Sequence, residues 1–179
     1  SGKKKKKKTQ RAAPVVPETQ PRVFSSLALC GAALLCLIGA GMVFAGEIQY
    51  QRGNAAKVFV ENPETSQYHS QALKQGEEAL LAGRSLVFWD ERYSDLLGHL
   101  AMRGGDTGAA IEYYGRALNT DPHHPHKAAN RARAYLSHAL RFARDNTAPD
   151  YTQVGELLDE AQRTAALAER YCAISPYVQ

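Results

Sequence analysis

Hydrophobic positions along the chain follow two patterns. From Val23 to Gly46 the run VFSSLALCGAALLCLIGAGMVFAG carries no charged side chain. Beyond it, apolar residues recur every three or four positions between polar ones, the period of a helix with one buried face. Glu64–Ala82 puts Tyr68, Ala72, Leu73, Ala79 and Leu80 on that spacing, and Glu91–Arg103 does the same with Tyr93, Leu96, Leu97, Leu100 and Ala101. Further helices are predicted within Gly105–Pro122 and over Lys127–Arg144 and Tyr151–Ala173. Turn residues separate them: Asn62-Pro63, Gly104-Gly105, Asp121-Pro122 and DNTAPD. Gly105 suits a helix C-terminus, and Asp106 or Thr107 is placed to cap the next helix. Gly46–Glu61 reads as a juxtamembrane helix or connector. No segment alternates with the period of a strand, so the expected class is all-α, one transmembrane helix followed by a short array of helical hairpins.

The uncharged run holds 24 residues. At about 1.5 Å per residue it reaches about 36 Å, enough to cross a hydrocarbon core of about 30 Å. Its N-terminal flank carries Lys3–Lys8, Arg11 and Arg22, whereas the other flank opens with Glu47 and has only Arg52 and Lys57 nearby. The positive-inside bias then predicts a single-pass protein of the cell inner membrane, N-terminus cytoplasmic and C-terminal domain periplasmic or exoplasmic. A cleavable signal peptide is the rival reading, because Val43 and Ala45 suit cleavage before Gly46. The length of the run and the 22-residue lead argue for a retained anchor. Leu29 and Leu35 precede Cys30 and Cys36 where a lipoprotein signal needs a small residue. Ala28, Ala32, Cys36 and Ala40 recur every four residues, a stripe suited to close packing with a partner helix and equally compatible with ordinary tolerance of small residues in membrane helices.

Charge divides the chain the same way. Of 22 Lys and Arg and 18 Asp and Glu, the first 22 residues hold eight bases and one acid, leaving 14 against 17 for the remainder. The basic character belongs to a tail with Pro14, Pro17 and Pro21, expected to be disordered, its lysines lying against anionic headgroups at about 1 kcal/mol each. A nucleic-acid partner is not expected, since the rest of the chain has no basic excess. The organisation that results is a tail over 1–22, a transmembrane helix over 23–46, a connector over 47–63 and a helical domain over 64–179.

Residues 91–124 resemble one tetratricopeptide repeat, a helix-turn-helix unit of about 34 residues. Counting from Glu91, Leu97 and Gly98 fall on the family's Leu-Gly pair, Ala110 and Ala117 on its small sites, Tyr114 on its aromatic site and Pro122 on its terminating proline. Ser94 and Ala101 depart from the aromatic residues usual at their positions. More weakly the resemblance extends over about 65–179, with Ala161, Ala165 and Ala168 as small sites of a last helix and Ser175-Pro176 as its terminator. It implies that Gly98 and Ala110 bring two helices together, that Ala117 admits the next, that Tyr114 fills the space between hairpins, and that neighbouring units must stack. It also implies a groove for a protein partner along the first helices, with Tyr93, Leu96, His99, Leu100 and Arg103 on one and Asn130, Arg133 and Ser137 on the next. The function implied is a membrane-anchored scaffold or assembly protein, an accessory subunit of a larger membrane complex. The alternative is a structural subunit whose membrane helix makes the main contact, and a less favoured third reading is a metal-binding protein that uses the histidines at 123, 124 and 126.

Chemistry is sparse. His123, His124 and His126 form an HHPH cluster, but no Cys or carboxylate apart from Asp121 has the spacing of a closed zinc site, so no metal is expected. Glu77, Glu78, Glu156, Asp159 and Glu160 read as solvated helix faces. RGGDTG follows no strand and lacks the context of a phosphate loop. Neither an enzyme activity nor a cofactor is expected. Cys172, alone in the outer domain, is expected to pack beneath the last helix. Trp89, the only Trp, is read as the edge of a hairpin core or, if exposed, as the best binding hot spot.

Overall fold

The computed structural model describes residues 21–145 and 149–174, with side chains from Leu27 to Ala173 outside that gap. The lysine run Lys3–Lys8, residues 146–148 and Ser175-Pro176 lie outside the described residues. Among the described residues there are six α-helices and one 3-10 turn, and no strand. Two units are distinguished, Ser1–Ile38 and Gly39–Gln179.

The first unit contains the start of α1 (Pro21–Glu61), a 41-residue helix. Leu27, Leu29, Leu34, Leu35, Leu37 and Ile38 are all exposed there. One stretch within Leu27–Glu61 is long and apolar enough to cross a membrane.

The second unit holds the rest of α1, then the 3-10 turn Pro63–Tyr68, α2 (His69–Leu86), α3 (Arg92–Gly104), α4 (Thr107–Thr120), α5 (Pro125–Asp145) and α6 (Tyr151–Ile174). From α2 onward each helix packs on its successor. Pro63 ends the helical ladder of α1, and the Asn62 side chain accepts a hydrogen bond from the Glu64 N–H at 3.0 Å. Residues 64–68, expected to open the α-helix, take the tighter 3-10 form instead.

Between α3 and α4 the chain reverses at Gly105, whose φ of +80° is open to glycine at no steric cost. Its N–H donates to Met102 and that of Asp106 to Ala101, which closes the carbonyl end of α3. Asp106 is the cap of α4, its carboxylate accepting from the Ala109 N–H at 2.9 Å. Gly98 makes room for Tyr114 between the two helices, since a Cβ there would sit 2.7 Å from the ring.

The main core gathers Leu80, Val87, Tyr93, Leu96, Leu97 and Leu100, with Tyr50 of α1 and Leu73 of α2 packed against it. A second cluster centres on Tyr114 with Ala110 and Ala134. In α6 the inward face is Ala161, Thr164 and Ala168. Cys172 is exposed, contrary to expectation: it lies on the same side of α6 as Ala161 and Ala168 but one turn past Ala168, the last buried residue described there, where the helix nears its end.

Candidate partner-binding surface

The half of α1 beyond Gly46 packs against α2 through glycines. A Cβ on Gly53 would lie 2.4 Å from the Leu80 side chain, and one on Gly76 would lie 2.5 Å from Ala56 and 2.9 Å from Leu100. A Cβ on Gly83 would meet the Tyr93 ring and Gln49. Contact this close leaves little side-chain bulk between the helices, so their outward faces flank an open groove of about 810 Å³. One wall carries Arg52, Ala55 and Phe59 of α1. The other carries Tyr68, Ala72, Gln75, Ala79 and Ala82. Both sets repeat every three or four residues, so each wall is one helical face. Alanines make the floor shallow, two aromatic rings stand at one end, and Arg52 and Glu78 supply opposite charges along the rim.

Three of the residues assigned to the first-helix groove are not open to a partner. Tyr93 is 1% exposed, and Leu96 and Leu100 are similarly buried. The cause is the second half of α1, which was assigned to a connector and instead covers that face together with α2. Tyr50 meets the Tyr93 ring edge-to-face at 5.5 Å, and Glu47 pairs with Arg92 at 3.2 Å.

The remaining five fall elsewhere. His99 and Asn130 come together, the Asn130 amide lying 3.4 Å from His99 Nε2 as donor to a neutral ring. Asp95 stands 4.0 Å from the same nitrogen. Burial nevertheless holds the His99 pKa below its usual value, outweighing the pull of Asp95. Lys57, Glu61 and Arg103 also act on the ring through space. Arg103 is exposed and pairs with Glu61 at 3.7 Å. Arg133 is exposed and Ser137 half-buried. The result is a polar strip along α1, α3 and α5, at the level of His99. In it the buried Asp95 Oδ1 has no hydrogen-bond partner.

Ala28, Ala32, Cys36 and Ala40 are exposed on α1, and no atom lies within 4 Å of a Cβ placed on Gly31, Gly39 or Gly41. In the histidine cluster His123 stacks edge-on against Tyr171, His124 and His126 face each other at 5.7 Å, and Asp121 is engaged by Lys127 at 3.3 Å. Among the described residues no three His, Cys, Asp or Glu side chains converge on a point that could hold a metal.

No family model matches the chain, and neither a curated protein nor a solved structure does. The geometry alone therefore carries the functional reading.

Helical spacing picked out Tyr68, Ala72 and Ala79 but did not show that their face stays open, and Arg52, Ala55 and Phe59 of the facing wall were missed. A usable signal was nonetheless present: Gly46 and Gly53, like Gly76 and Gly83, are seven residues apart. Two glycines at that spacing lie on one face of a helix and mark a seam where another backbone comes close.

Proposed function

We propose that this chain is a membrane-anchored scaffold that holds a protein partner, an accessory subunit of a larger membrane complex. In this reading the second half of α1 pairs with α2, α3 with α4 and α5 with α6, as three stacked helix pairs of tetratricopeptide type. The observation that carries it is the open groove between α1 and α2. In such an array every pair buries its outer face on the next, and the first pair here has none before it. A partner's helix with small and apolar residues on one face would complete the stack, its charges meeting Arg52 and Glu78. No chemical step is assigned to the chain.

The uncharged run of α1 is the anchor in this proposal. The charge bias across it favours a cytoplasmic N-terminus and a periplasmic or exoplasmic domain in a cell inner membrane. A second reading, in which the membrane helix is the main contact, draws on the open stripe Ala28–Ala32–Cys36–Ala40. Substituting Ala55→Glu with Ala82→Glu puts charge into the groove at exposed positions, while Ala32→Leu with Cys36→Leu fills the stripe. Loss of the co-purifying complex with the first pair, at unchanged helix content, supports the groove. Loss with the second pair alone transfers the function to the membrane helix.

A further inference from the structure

The turn between α2 and α3 exposes two large aromatic side chains side by side. Phe88 is 78% exposed and Trp89 54%, with ring centroids 4.9 Å apart in an edge-to-face pair. Water is a poor environment for both, and nothing among the described residues covers them.

Their position is set by the neighbouring residue. Val87 is buried, and a Cβ on Gly46 would lie 2.4 Å from its side chain, so the turn is held against α1 at Gly46. Gly46 is also the last residue of the uncharged run. Immediately before it Met42, Val43 and Phe44 are exposed on α1. Immediately after it the polar side chains begin. Arg92 pairs with Glu47 at 3.2 Å and Asp90 at 2.6 Å, and its guanidinium lies over the Tyr50 ring at 4.7 Å. Apolar and charged surface therefore meet at one level along α1, and the aromatic pair sits beside that level.

That level has a definite depth if α1 crosses a bilayer. The run exceeds the hydrocarbon core by about 6 Å, and the headgroup zone on each side is about 5–8 Å thick. Its last turn therefore stands among the headgroups, where Trp is favoured because its ring is apolar and its N–H can still reach a polar partner.

We propose that the Phe88–Trp89 turn is a second membrane contact, its rings seated in the headgroup zone of the same bilayer that α1 crosses. It rests on the anchoring reading above and adds to it. The turn fixes α2 and α3 against the lipid surface, with the Glu47–Arg92–Asp90 cluster as the polar layer above.

Trp89 is the only tryptophan, so its fluorescence reports on this turn without substitution. The full chain is reconstituted into phosphatidylcholine–phosphatidylglycerol vesicles whose acyl chains are brominated either near the headgroup or near the bilayer centre. Flotation after an alkaline wash reports anchoring independently. The expected result is flotation together with emission quenched about twofold or more by the shallow bromines and less by the deep ones, as an interfacial ring requires. Phe88→Ser should weaken the shallow quenching while flotation is retained. A chain that floats with Trp89 unquenched overturns the second contact and leaves the anchor standing. Failure to float overturns the anchor and the contact with it. Blue-shifted emission that ignores bromine and depends on protein density would assign the aromatic pair to a protein surface instead.

Discussion

The α3–α4 pair and the α5–α6 pair are built from the same helical period and differ in what they bury. Around α3 and α4 the interior is made of large side chains, with Tyr93, Leu97 and Tyr114 each 2% exposed or less. Within α5 and α6 the buried apolar residues are alanines: Ala128, Ala132, Ala134, Ala139, Ala161 and Ala168. Most of their leucines point outward, Leu140 being 62% exposed and Leu136, Leu158 and Leu167 also open to solvent, while Leu157 is half-buried. An alanine seam allows close helix approach but removes little apolar surface from water, at about 25 cal/mol per Å². Stability should therefore be concentrated around α3. The last pair should depend on the layer before it.

Removing the centre of the first region has the largest expected effect. Tyr114→Ala empties the space beside Gly98 and should cost about 3–5 kcal/mol, whereas Leu140→Ala should stay within about 0.5 kcal/mol. Urea unfolding of the two variants measures both. Comparable losses would erase the contrast.

Next comes the link between the regions. Lys127 at the start of α5 is buried, and its Nζ lies 3.5 Å from Glu91 and 3.3 Å from Asp121. Both carboxylates are partly exposed, and water would relieve much of the loss. Lys127→Met should thus cost about 1–2 kcal/mol rather than the larger penalty of a fully buried pair. Hydrogen exchange on the variant should show α5 and α6 loosened ahead of α3.

A smaller effect is expected from pH. Burial lowers the His99 pKa in the folded state, so the unfolded chain takes up the proton first as pH falls. The His99 contribution is therefore complete above the ordinary histidine pKa of about 6.5 and is lost as pH drops from there toward the folded value. His99→Gln should flatten that part of the stability–pH curve. A curve unchanged by the substitution would show that the ring is not desolvated. A small effect is likewise expected at Arg103→Ala, where the pair with Glu61 is exposed on both sides and should contribute under about 1 kcal/mol by thermal unfolding.

Much of the helix series was legible because its boundaries are written in residues with local consequences: Asn62-Pro63, the Gly105 reversal, the Asp106 cap and the proline after Asp121. Tyr93, Leu96 and Leu100 were placed in an open groove because the tetratricopeptide resemblance implies one along the first helix, and neither that resemblance nor periodicity says what covers the face. Here the cover is the second half of α1. Its own pattern is diluted by Glu47, Arg52, Lys57 and Glu61, and two of its closest approaches are at Gly46 and Gly53, which carry no hydrophobic signal. Nor does the irregular Phe88–Trp89 turn have a period that could show which way its rings face.

The most direct test of the scaffold reading is photocrosslinking in native membranes, with benzoylphenylalanine at position 55, 79, 32 or 140. One discrete adduct of the same mass from positions 55 and 79, and none from 32 or 140, is the predicted result. Adducts from position 32 alone, or none from either groove position, would contradict it.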